Sequence, residues 1–141
     1  MRYLSLFAAF CLAAGFLVQS PVHAQERQIT LELNSAKQAG NGCRVSFIAF
    51  NGTGVVLEKT SYEMVVFDAE GLVAQFLILE FGRLPANKTK VVQFDLAEQS
   101  CDSISRLLIN DVAECVSNQE TSTVCLDALK TNARTEIGFG V

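Results

Sequence analysis

The sequence has 141 residues, of which 50% are hydrophobic and 18% are charged, and its formal net charge is −4. This much apolar material supports one folded domain and excludes a disordered chain or a coiled coil. Eleven Lys and Arg residues against fifteen Asp and Glu residues give no basic footprint for nucleic acid or anionic lipid. We therefore expect no nucleic-acid partner.

The first residues have the composition of an export signal. After a short basic start, residues 4–18 form an apolar run that is too short to span a membrane comfortably. Small side chains at Val22 and Ala24 predict cleavage before Gln25. We expect residues 1–24 to be a signal peptide, which leaves the processed protein periplasmic or secreted without a stable membrane anchor. An uncleaved N-terminal anchor is the alternative.

Six segments of the remaining chain alternate apolar and polar side chains or run apolar between turn residues, as β-strands do. These predicted strands cover residues 29–34, 43–50, 60–67, 72–81, 88–96 and 104–113. Farther on, Leu126, Leu129 and Ala133 fall near one face of a helix, which predicts a short C-terminal helix over residues 124–133. Residues 25–141 are therefore expected to form a single all-β domain, an immunoglobulin-like antiparallel β-sandwich with a short C-terminal helix.

Four cysteines follow the predicted cleavage site: Cys43, Cys101, Cys115 and Cys125. An even number of cysteines in a small exported domain indicates two disulfides, because an oxidising compartment consumes free thiols. The alternative, a four-thiolate zinc site, is disfavoured because no close Cys-x-x-Cys pair is present. Successive antiparallel strands alternate in direction, which places Cys43 and Cys101 at the same end of the sandwich. The predicted pairs are therefore Cys43–Cys101 and Cys115–Cys125.

Most catalytic chemistry is excluded by composition. Cleavage removes His23, the only histidine, so the processed chain cannot form a Ser-His-Asp or Cys-His nucleophile or a histidine-ligated metal site. Its carboxylates cluster at turns without the alternating oxygen ligands of a calcium loop. We therefore predict no catalytic residue, no cofactor and no metal site.

The predicted fourth strand is apolar on both of its faces. Its hydrophobic residues are Phe76 and Ile78 on one parity, and Leu77, Leu79 and Phe81 on the other. A strand with one face in water does not need this pattern. We expect the predicted C-terminal helix to cover the second face, and the alternative is that a partner protein covers it or pairs with an open edge.

Two other segments are candidates for recognition. Arg83 and Leu84 lie in a loop next to the fourth strand, and loops often carry binding residues. The last residues, 137–141, are apolar; a frayed terminus is expected there, with capture by a PDZ-type domain as the alternative. The candidate partner surface comprises Phe76, Leu77, Leu79, Phe81, Arg83 and Leu84.

Several turn and strand motifs resemble known envelope proteins. The strand from Gly42 to Asn51, the strand and turn from Tyr62 to Gly71, and the Leu84–Thr89 turn resemble immunoglobulin-like or fibronectin-type bacterial envelope modules. The late Asn-Asp-Val-x-x-Cys sequence, from Asn110 to Cys115, is similar to that of small exported proteobacterial proteins. The resemblance implies a β-sandwich fold and an exported location, and it transfers no functional residue.

These features favour a non-catalytic binding or accessory module that acts in the periplasm through contact with an envelope protein. Two alternatives are a small hydrolase that uses carboxylate, Lys or Ser groups, and a carrier of a small ligand. A convergent polar cleft would indicate the hydrolase, whereas a flat apolar or open-edge patch would indicate the binding module.

Processing and oxidation are testable together by mass spectrometry of the exported protein. We expect a mature chain that begins at Gln25 and is lighter than its reduced form by four hydrogen atoms, as two disulfides require. Recovery of four alkylatable thiols from the native protein would contradict the two-disulfide prediction.

Overall fold

The computed structural model describes residues 27–141. The predicted signal peptide and its cleavage site lie outside the described residues. Within this part of the chain, nine β-strands form two sheets that pack face to face, which confirms the predicted all-β sandwich. The first sheet has the strand order β5-β2-β1-β8 and the second has the order β4-β3-β6-β7, with β9 also paired to β6.

The strands are β1 (Ile29–Ala39), β2 (Gly42–Asn51), β3 (Leu57–Asp68), β4 (Val73–Glu80), β5 (Lys88–Leu96), β6 (Ile104–Ser117), β7 (Glu120–Thr121), β8 (Leu129–Ala133) and β9 (Gly138–Gly140). One helix of four residues, α1, covers Val124–Asp127, and a 3-10 turn covers Cys101–Ser103. The six strands predicted from the sequence correspond to β1 to β6.

The core lies between the two sheets and is built from alternate residues of the central strands. Its fully buried members include Ile29, Leu31 and Leu33 of β1, Val45 and Phe47 of β2, and Tyr62 and Met64 of β3. This is the period of two that a strand requires when one of its faces is buried. Truncating one of the large side chains, such as Phe47, is expected to cost about 3 to 5 kcal/mol of stability.

A close approach of the backbone brings the first disulfide together. Gly42 opens β2, and a β-carbon at this position would lie only 2.6 Å from the carbonyl oxygen of Leu96. Glycine is therefore the residue that lets the end of β5 lie directly against the start of β2. As a result, Cys43 and Cys101 lie at the same end of the first sheet.

Both disulfides have the predicted pairing. Cys43 bonds to Cys101 with their α-carbons 4.8 Å apart, and Cys115 bonds to Cys125 with their α-carbons 5.9 Å apart. The two bonds are consistent with an oxidising, extracytoplasmic compartment.

The C-terminal segment differs from the sequence prediction in two places. Only Val124–Asp127 is helical, while Leu129–Ala133 forms β8 and pairs in parallel with β1. This pairing satisfies backbone groups along β1 and places Leu129 in the core, and it outweighs the weak helical periodicity of the segment. The expected frayed end instead forms β9, which pairs with β6 through residues 138–140.

The two disulfides close chain loops of different length, with sequence separations of 58 and 10. In the chain-entropy model, the longer loop constrains the unfolded chain more strongly, by about 1 to 2 kcal/mol. We therefore expect the double replacement Cys43→Ser and Cys101→Ser to lower the free energy of unfolding more than Cys115→Ser and Cys125→Ser does. Urea unfolding of the two variants measures this difference, and equal losses would contradict it.

Candidate functional site

The candidate site is centred on β4, which forms one edge of the second sheet. A tight turn connects it to β3, and the carboxylate of Asp68 accepts hydrogen bonds from the backbone N–H groups of Glu70 (3.0 Å) and Leu72 (2.8 Å). Gly71 has a φ of 81°, a conformation that glycine adopts without steric cost. The turn thus holds β4 in a fixed register against β3.

A buried asparagine fixes the other end of β4. The Nδ2 group of Asn51 donates to the carbonyl oxygens of Val55 (2.8 Å) and Leu84 (2.9 Å). Its Oδ1 atom accepts from the backbone N–H and the hydroxyl of Thr53. Every hydrogen-bonding group of this side chain is therefore used, and the loop that follows β4 is joined to the loop that follows β2.

The two apolar faces of β4 have different surroundings. Leu79 is 5% exposed and belongs to the core between the sheets, and Leu77 packs against the same core. On the opposite face, the side chain of Phe76 is 60% exposed and that of Ile78 is 54% exposed. The inner face of β4 therefore supports the fold. The outer face of β4 is exposed to solvent in the structure of residues 27–141.

The predicted cover by a C-terminal helix is wrong. Helix α1 packs against β6 and β8, and Leu126 is exposed rather than buried against β4. The inner face of β4 needs no such cover because the opposite sheet already lies against it. Residue Leu129, expected on the helix, lies in β8.

The structure separates the predicted partner-surface residues into two groups. Leu79, Phe81 and Leu84 are buried and cannot meet a partner while the domain is folded, and Leu77 is partly buried. Phe76 and Arg83 are exposed. The prediction missed Ile78, although its shared parity with Phe76 was a signal that both lie on one face.

The outer face of β4 continues onto the neighbouring strands. Phe76 lies opposite Val65 of β3, which in turn lies opposite Leu108 of β6. Val65 is only 3% exposed although it points away from the core, so its neighbours on the outer face cover it. We call Phe76, Ile78, Val65 and Leu108 the outer apolar patch.

Charged groups border the outer apolar patch on two sides. Glu63 lies opposite Ile78 and accepts a hydrogen bond from the side chain of Asn110. The guanidinium carbon of Arg106 lies 4.2 Å from the ring centroid of Phe67, which is a cation–π contact. The patch is therefore apolar at its centre and polar at its rim, the arrangement that protein interfaces share.

Among the described residues, the polar side chains of a second concave surface are not joined into one hydrogen-bonded group. A groove of about 590 Å³ beside the middle of β1 is lined in part by Ser35, Asp102 and Arg134. Arg134 lies 3.2 Å from the carboxylate of Glu32. Within residues 27–141, no hydrogen bond joins a hydroxyl group of this groove to one of its carboxylates.

The buried side chain of Tyr62 has a structural role. The Tyr62 hydroxyl donates to the carbonyl oxygen of Cys125 at 2.9 Å. Burial raises the pKa of Tyr62 well above its ordinary value, because the charged phenolate would lose its hydration. The side chain is fully buried, so it positions the Cys115–Cys125 disulfide region against β3 rather than facing a substrate.

Residues 27–141 contain no cluster of three potential metal-ligating side chains. In the same range, no helix is long and apolar enough to cross a membrane.

Comparison with known proteins gives a fold relationship. No protein-family model and no curated protein matches the sequence. The fold is similar to that in a solved structure described as the structural characterization of IrmA from Escherichia coli, with a TM-score of 0.57 and 12% identity. The match covers 74% of this chain and 91% of that chain. At this identity the similarity shows the fold alone.

Ile78 and Leu79 are adjacent on β4 but lie in opposite environments, so the same substitution at each position gives a matched pair of variants. We expect Leu79→Asp to destabilise the domain by about 3 kcal/mol or more, because it buries an unpaired carboxylate. Ile78→Asp places the same side chain in solvent and is expected to cost less than about 1 kcal/mol. Thermal unfolding of both variants is the measurement, and equal losses of melting temperature would contradict the assignment of the two faces.

Proposed function

We propose that the protein is a non-catalytic binding or accessory module that acts in the periplasm through contact with another envelope protein. The observation that carries this proposal is the outer apolar patch, which exposes Phe76 and Ile78 on an edge strand. Large apolar side chains that are exposed together favour association, because contact with a partner removes them from water.

The two edge strands of the first sheet support this proposal by contrast. The edge strand β5 carries Lys88 and Lys90, and its Asp95 forms an ion pair of 2.7 Å with Arg44. Strand β8, at the far edge of the first sheet, carries Lys130. Charged side chains of this kind discourage edge-to-edge association. Within β4 the charged residue is Glu80, at the strand end, so the centre of this edge lacks such protection.

The two-disulfide framework fits a periplasmic location because small exported domains use disulfides to supplement a limited core. The alternatives of a small hydrolase or a ligand carrier need a convergent polar cleft or an enclosed cavity. The polar groove beside the middle of β1 is open and carries separate charges, so the apolar edge is the better candidate for function.

Site-specific photo-crosslinking in intact cells tests the proposal. A photoreactive phenylalanine derivative replaces Phe76 in one variant and Val91 in a control variant. Val91 is 63% exposed on the outer face of the other sheet's edge strand, so it matches Phe76 in accessibility. We expect a discrete adduct with an envelope protein from position 76 and none from position 91.

A second variant separates specific contact from chance collision. Adding Ile78→Asp to the photoreactive variant should weaken the adduct from position 76 while leaving the fold intact, because the patch loses apolar area. The same adduct pattern at positions 76 and 91, or no adduct at either, would overturn the proposed function.

A further inference from the structure

We propose that the partner binds by adding an extended strand to the free edge of β4, and that this strand carries basic residues beside apolar ones. The inference rests on the proposed function and names the chemistry of the partner segment. Three features of β4 carry it: its free backbone groups, its exposed apolar side chains and the charge around it.

The backbone of β4 is available for strand addition. The N–H group of Phe81 donates to the carbonyl oxygen of Thr60 in β3, with a distance of 2.9 Å. Backbone groups of alternate residues point to opposite sides of a strand, so those of Leu79 and Leu77 also face β3. The N–H and C=O groups of Phe76, Ile78 and Glu80 therefore point away from β3, towards the open edge.

The same residues carry the outer apolar patch. In an antiparallel pair, residues that exchange two hydrogen bonds also place their side chains next to each other on one face. A strand paired with Phe76 and Ile78 would thus lay its own side chains beside both exposed groups. Main-chain hydrogen bonds would supply part of the affinity, and side-chain contacts would supply the selectivity.

Carboxylates surround this edge. Glu63 lies opposite Ile78, Glu80 ends the strand, and Asp68 and Glu70 form the connecting turn. The ion pairs among the described residues join Arg44 to Asp95, Lys59 to Glu114, and Arg134 to Glu32. All four carboxylates around β4 are outside these pairs.

The basic residues near β4 are already engaged or displaced from the strand. The Lys90 Nζ group donates to the carbonyl oxygens of Phe81 and Arg83, and the Arg106 guanidinium lies over the ring of Phe67. Arg83 itself belongs to the loop after β4. The edge is therefore complementary to a cationic strand, and the negative charge of the whole chain adds a long-range attraction.

A second copy of this chain is a poorer occupant. Pairing β4 with itself brings a second set of the same four carboxylates to one interface, and like charges across an interface oppose binding.

A designed peptide with blocked ends, Lys-Thr-Ile-Thr-Ile-Thr-Lys, tests the proposal directly. Its Lys and Ile side chains share one face and match Glu80 and the outer apolar patch, while its Thr side chains occupy the other face. Fluorescence anisotropy measures its binding to the disulfide-bonded protein. Hydrogen exchange then reports protection of the amides of Phe76, Ile78 and Glu80.

Two controls isolate charge and backbone pairing. Replacing both lysines of the peptide with glutamate should weaken binding by about tenfold or more at low salt, with a smaller difference at high salt. Methylating the amide nitrogens of the two isoleucines should also weaken binding by about tenfold, since these groups face β4. Methylating the threonine amides, which point away from β4, should leave the affinity within about threefold.

Any one of three results would overturn the proposal. The basic and acidic peptides bind equally well, methylation of the isoleucine amides leaves the affinity unchanged, or no saturable binding occurs up to about 1 mM peptide. A stable dimer in sedimentation that Ile78→Lys dissociates would identify a second copy as the occupant and would also overturn it. An adduct from position 76 combined with any of these results would leave the proposed function standing and remove only the strand-addition mode.

Discussion

Phe47 lies at the centre of the contact on which this sandwich depends. Its ring is 5.5 Å from that of Phe81, 6.0 Å from that of Phe94 and 5.2 Å from that of Phe139, each measured between centroids and each in an edge-to-face arrangement. These rings come from the residue after β4, from β5 and from β9, so one cluster joins both sheets and the C-terminal strand. Because side chains alternate along a strand, an inward Phe81 sets the parity of β4 and forces Ile78 outward.

Local patterns identified the strands that bury one face, and they failed where a distant partner determines the structure. The alternation in β1 to β6 follows from burial against the opposite sheet, so it is visible in the sequence. The helical spacing of Leu126 and Leu129 carried no information about β1. Residues 129–133 form β8 because they pair with the edge of β1, which is distant in sequence. At the chain end, Ile137 and Phe139 alternate with glycine, a period of two that already indicated a strand.

The candidate site was only partly predictable for a related reason. The sequence showed that β4 is apolar on both parities, but periodicity alone cannot tell which parity faces the core. That choice depends on two distant contacts. Phe81 packs into the aromatic cluster of the core, and a β-bridge between Leu57 and Leu84 holds the loop that follows β4. The predicted surface therefore mixed residues buried in the core with residues exposed to solvent.

This division gives β4 two separable roles. Its inner side chains are held by the core, its turn by Asp68 and its far end by Asn51, so the outer edge is already in the extended conformation that a partner strand requires. A preordered edge loses little conformational entropy on binding, and the ordering cost falls mainly on the incoming segment. Side chains on the outer face touch solvent rather than the core, so changes at Phe76, Ile78 or Glu80 are expected to affect the proposed binding with little effect on stability. In the proposed binding mode, the charge and shape of this one face determine selectivity, while the disulfides and the aromatic core keep the edge in place.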